Sequence, residues 1–152
     1  MRCLAEPETA YQTVSKAVEM GINHLETARG YGQSETYLGL AIGRELAVDR
    51  SQLYITTKLP PTPDRALMAQ WIDESLERLQ VDYIDCLAIH GINTPEHLDW
   101  VRDGCYPAIA EAIECGKVKH VGFSTHGTLE LIIAAIETQL FEFINLHYYY
   151  FY

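Results

Sequence analysis

The 152-residue sequence contains no run of lysine or arginine, no CxxC or CxxH pair, no stretch of 18 apolar residues and no Gly/Ser/Pro linker dividing the chain. Each absence removes a class of function. With 21 acidic against 11 basic residues the formal charge is −10, so no nucleic-acid partner and no anionic membrane surface is expected. Cys3, Cys86, Cys105 and Cys115 lack the spacing of a zinc or iron-sulfur site, and isolated thiols suit a reducing compartment. His24, His97, His120, His126 and His147 form neither HxH nor HExxH, so no metal site is expected. The start, Met1 to Pro7, turns acidic before a signal-peptide core develops, and a cytoplasmic location is the expectation. A glycine-rich phosphate loop is also missing.

What remains is the composition of one globular domain over residues 1–152, 48% hydrophobic and 21% charged. Helix-like and strand-like segments alternate, with strand starts near residues 22, 53, 83, 118 and 143. They lie about 25 to 35 residues apart, which is βαβ spacing. A helix over Thr9 to Met20 carries Val14, Ala17 and Val18 on one face and stops at Gly21. Thr62-Pro63 reads as the N-cap and first residue of a helix with an apolar stripe of Leu67, Met68, Trp71, Ile72, Leu76 and Leu79. A short helix is expected from Pro95, another from Gly104 to Cys115 ending at Gly116, and a last one from Thr128 burying Leu129, Ile132, Ile133 and Ile136. The strands, Ile22 to Leu25, Leu53 to Ile55, Tyr83 to Ile89, Val118 to Phe123 and Phe143 to Leu146, include the near-continuous apolar runs of a parallel sheet covered on both faces. The aromatic tail Tyr148-Tyr149-Tyr150-Phe151-Tyr152 reads as a strand and its exit, an aggregation hazard if its edge is exposed.

Chemistry in parallel α/β folds collects beyond the carboxyl ends of the strands. Here the five strands run into Glu26, Lys58, His90, Ser124-Thr125 and Asn145. One polar strand end means little; five in succession form a constellation.

The segment Gly21-Ile22-Asn23-His24-Leu25-Glu26-Thr27-Ala28-Arg29-Gly30-Tyr31-Gly32-Gln33-Ser34-Glu35, with Leu38-Gly39 after it, resembles the signature of the aldo-keto reductases. In that family an acidic residue closes a strand, a tyrosine follows five residues later, and a lysine and a histidine end the next two strands. Glu26, Tyr31, Lys58 and His90 stand in that order, and the resemblance covers Thr9 to Tyr150. It implies a (β/α)8 barrel of which about five parallel strands are present, an incomplete TIM barrel. It also implies NADP(H)-dependent hydride transfer to a small aldehyde or ketone.

By the same resemblance Tyr31 is the general acid at the carbonyl oxygen. A phenol ordinarily ionises near pH ~10 and donates poorly at neutrality, so Lys58 would favour its ionised form while Glu26 orients the lysine. His90 would position the substrate oxygen. Ser124, Thr125 and Asn145 stand where the family contacts the nicotinamide carboxamide. The family usually has aspartate at the position of Glu26, and the wording around Glu26 is similar to a branch carrying a ferredoxin-like (4Fe-4S) extension after the barrel; no iron-sulfur motif occurs in this chain. A complete barrel has eight β/α units and typically about 250 residues. The pattern places one strand before the first helix and two after Asn145, and those carry the aromatic ring that stacks on nicotinamide and the basic phosphate loops. Tight cofactor binding by this chain alone is therefore not expected, and self-association or a complementing fragment is. The alternative reading is a non-catalytic truncated, binding or scaffold protein derived from this fold.

Overall fold

Helices and strands alternate along residues 6–44 and 46–146, which the computed structural model describes. In chain order they are α1 (Pro7–Glu19), β1 (His24–Glu26), α2 (Ser34–Ile42), β2 (Tyr54–Leu59), α3 (Arg65–Leu79), β3 (Ile84–His90), α4 (Pro95–Trp100), α5 (Tyr106–Glu114), β4 (Val118–Thr125), α6 (Leu129–Glu137) and β5 (Phe143–Leu146). A 3-10 turn, Arg50–Gln52, precedes β2, and a π turn, Val101–Cys105, joins α4 to α5. The strands make one parallel sheet in the order β1-β2-β3-β4-β5, the partial barrel that the sequence predicts. No helix among the described residues is long and apolar enough to cross a membrane. His147 and the aromatic tail lie outside the described residues.

Alternation along the strands separates two faces. Leu25, Ile55, Leu59, Leu87, Ile89, Val121 and Phe123 are buried in the core together with Val14, Val18, Leu38, Met68, Ile72, Leu79, Val101 and Ile109 of the covering layer. The opposite, inner face is mixed: strand register sets Glu26 beside Thr56, Thr56 beside Cys86 and Cys86 beside His120, then Lys58 beside Ala88, Gly122 and Phe143, with His90, Ser124 and Asn145 in register nearer the strand ends. A barrel interior is more often filled with branched aliphatic side chains. Here His24 Nε2 lies 2.7 Å from Thr56 Oγ1, and His120 Nδ1 lies 2.7 Å from Glu142 Oε2.

Helix ends explain where the strand boundaries shift from those expected. After α1 the Ile22 amide donates to Ala17 O and the Gly21 amide to Val18 O, with Gly21 at φ +85°. That Schellman closure uses Ile22 to end the helix, so β1 starts at His24 instead. The same geometry closes α5 at Gly116, with the Lys117 amide on Ala112 O, and closes α3 at Gln80, which holds φ +54° without being glycine.

Three expectations need correction. Asp64, not Thr62, caps α3: its carboxylate accepts from the Leu67 amide at 3.0 Å, while Thr62 Oγ1 accepts from the Asp64 amide in the turn before. The helix expected from Gly104 instead continues from α4 through the π turn, within which Gly104 packs so closely that an added Cβ would sit 2.5 Å from Pro63 C and Thr62 O. On α6 the buried residues are Leu131 and Ala135, whereas Leu129, Ile133 and Ile136 are 66%, 45% and 54% exposed. The strand that follows α6, β5, is the last of the described sheet.

Candidate active site

Glu26 ends β1, and the chain turns at once into the segment bearing Tyr31. This segment is pinned from below. The Thr27 amide donates to Thr56 O and the Arg29 amide to Lys58 O, extending the pairing beyond β1. Thr27 Oγ1 donates to Ser34 Oγ at 2.6 Å across the loop, and Thr57 Oγ1 donates to the buried Glu35 carboxylate at 2.6 Å. The positive φ of Gly32, +59°, lets the chain fold back so that the Ser34 amide reaches Tyr31 O.

Lys58 stands one residue before the end of β2, and its side chain is only 3% exposed. A buried ammonium requires partners. It donates to Glu26 Oε1 at 2.7 Å and to Thr27 O at 3.1 Å, and it lies 5.3 Å from the centre of the Tyr31 ring. His90, at the end of β3, meets the Tyr31 ring edge to face with centroids 5.5 Å apart. At the end of β4, Ser124 Oγ accepts from the Gly91 amide at 3.2 Å. On β5 the Asn145 amide donates to Glu26 Oε2 at 3.1 Å.

Glu26, Tyr31, Lys58, His90, Ser124, Thr125 and Asn145 all line one cleft of about 130 Å3, and His126 joins them. The Thr125 hydroxyl is already engaged within the fold. Buried, it donates to Ile92 O and accepts from the Gly127 amide at 2.8 Å, holding the loops after β3 and β4 together. Sequence reasoning missed His126, whose place follows from Asn93 Oδ1 accepting its amide at 2.8 Å, a link across 33 residues with no local signal. Deeper in the inner face, burial pushes the Cys86 thiol up despite a hydrogen bond with Thr56. A thiol so placed stays protonated near neutrality and is a poor nucleophile.

Sheet, cleft and side-chain set define one class of protein, and comparison gives the class its name. The Aldo/keto reductase family profile matches residues 5–145, and the chain belongs to that family. It is 32% identical over 142 residues to an aldo-keto reductase of Mycobacterium sp. (strain KMS), covering 91% of this chain and 49% of that protein. It is 42% identical over 91 residues to the D-galacturonate reductase of Fragaria ananassa, covering 57% of this chain and 28% of that one. The Bombyx mori aldo-keto reductase solved in complex with NADP superposes with a TM-score of 0.70 at 27% identity, over 87% of this chain and 45% of that one. The chain spans about half the length, or less, of the curated relatives it matches.

Proposed function

We propose that this chain carries the acid-base half of an NADP(H)-dependent carbonyl reductase. The supporting observation is the contact of Lys58 with Glu26, Thr27 O and the Tyr31 ring inside one cleft. Tyr31 gives its hydroxyl proton to the carbonyl oxygen of an aldehyde or ketone, the ammonium of Lys58 stabilises the phenolate that remains, and His90 orients the carbonyl. The bound cofactor supplies the hydride. Ser124 and Asn145 offer a hydroxyl and an amide that fit a carboxamide. The polar lining, together with the sugar-acid substrate in the name of the Fragaria relative, favours a polyhydroxylated carbonyl compound.

The test joins the chain to the remaining β/α units of the Mycobacterium relative and measures NADPH oxidation with hexuronic acids and aldoses. Activity is expected, and Tyr31→Phe is expected to lower it at least ~100-fold, the range of a general acid. A rate indifferent to Tyr31→Phe rejects the assignment. The 152-residue chain alone is expected to leave NADPH fluorescence unchanged at micromolar concentrations.

The exposed Leu129, Ile133 and Ile136 of α6, with Leu146 of the edge strand, favour a second feature of the same reading. We propose that this half-barrel associates with a second copy or a complementing chain. Sedimentation at micromolar concentration is expected to show species heavier than 17.2 kDa, and a single species of that mass contradicts association with a second copy.

A further inference from the structure

Glu26 divides its two carboxylate oxygens between distant strands. Oε1 takes the Lys58 ammonium on the neighbouring β2 at 2.7 Å, and Oε2 accepts from the Asn145 amide on β5 at 3.1 Å, 119 residues along the chain. The carboxylate thus reaches over the strand ends of the inner face from the first strand of the sheet to the last. Such a side chain is costly to hold still. Glu26 is 42% exposed, and fixing a glutamate opposes up to ~1.5–2 kcal/mol of rotamer entropy. A second donor on the other oxygen narrows the orientations of the carboxylate beyond what the Lys58 contact alone imposes.

We propose that Asn145 is a positioning residue, fixing the Glu26 carboxylate and through it the Lys58 ammonium beside Tyr31. A neutral amide suits the role because it donates a charge-assisted hydrogen bond without competing as a second cation for Glu26. Lys58 then stays the one lysine or arginine among the residues lining the cleft. The inference also requires the full length of a glutamate at position 26. A carboxylate drawn back by one C–C bond, about 1.5 Å, reaches Lys58 or Asn145 but not both at these distances. It rests on the reading of Tyr31 and Lys58 as the acid-base pair, and its test does not require turnover.

The full chain labelled with 15N-lysine contains four ammonium groups, at Lys16, Lys58, Lys117 and Lys119, and Lys58→Arg assigns the signal of interest. Asn145→Ala is expected to shift the Lys58 ammonium resonance and to raise its proton exchange with water about threefold or more, leaving the other three signals and the urea midpoint unchanged. Asn145→Leu, close in size but uncharged and without the donor, is expected to act in the same direction, and it serves if the alanine variant folds poorly. Glu26→Asp is expected to produce the change by itself and to make Asn145→Ala silent when the two are combined. An unaltered Lys58 signal in both Asn145 variants overturns the proposal, as does an undiminished effect of Asn145→Ala in the Glu26→Asp background. Absence of reductase activity in the joined protein, with the Lys58 shifts present, rejects the catalytic reading and leaves the positioning intact.

Discussion

Gly39→Ala is expected to lower the unfolding free energy by ~2–3 kcal/mol, and Gly39→Val to prevent cooperative folding. Two effects oppose each other in the alanine variant. Helix propensity alone favours alanine by ~1 kcal/mol at a position inside α2. A Cβ there, however, would lie 2.2 Å from Arg78 O and 2.7 Å from Leu79 C, atoms of the α3 backbone that no rotamer change can move aside. The helices must separate, and the separation loosens the buried Leu38 and Leu79 and the 3.2 Å contact between Arg78 and the buried Glu35. The consequence reaches the cleft, since α2 begins at Ser34, which closes the Tyr31 loop. Urea denaturation decides the matter: a Gly39→Ala midpoint at or above wild type means that the helices separate freely and the close approach carries no penalty.

Asp85→Asn is expected to remove ~2–3 kcal/mol at neutral pH, somewhat less than a fully buried pair because its cations keep access to solvent. Asp85 is 4% exposed near the start of β3, at the end of the sheet away from the cleft. Its carboxylate accepts from the Ile55 amide at 3.0 Å, from Arg50 at 2.7 Å and from Lys119 at 3.1 Å, joining three adjacent strands and the turn before β2. Burial works to raise this carboxyl, but the Ile55 amide, Arg50 and Lys119 outweigh it and hold it below the usual carboxylate range. A depressed carboxyl stabilises the fold fully above its unfolded value of ~3.9, and the contribution disappears as pH falls through the lower folded value. Wild type and Asp85→Asn should therefore differ most above the unfolded carboxyl range and converge as the pH falls through the lower folded value. A gap that stays constant over that range is incompatible with this role for the charge.

Glu26, Lys58, His90, Ser124 and Asn145 were legible because a parallel sheet brings its carboxyl ends to one rim, and each of these residues stands at or near the end of an apolar run. Tyr31 needed the longer signature around it. Gly21 and Gly116 announced their helix ends; Gln80 and Gln139 adopt the same left-handed backbone, and nothing in a glutamine foretells it. Asp85 stands inside an apolar strand and its partner Arg50 lies 35 residues away, so no local pattern marks their contact. Contacts such as Glu26 with Asn145 depend on the curvature of the whole sheet, which no local pattern encodes. On α6 the apolar pattern itself was sound, but burial depends on what stands opposite, and that is not a property of the helix.

Strand order and chain order are the same in this sheet. Each pairing therefore joins segments one β/α unit apart, and the entropic penalty of closing any loop is that of one short crossover, never of the whole chain. On a ribosome, each strand from β2 to β5 emerges after the strand it pairs with, so the sheet can grow in the order of synthesis.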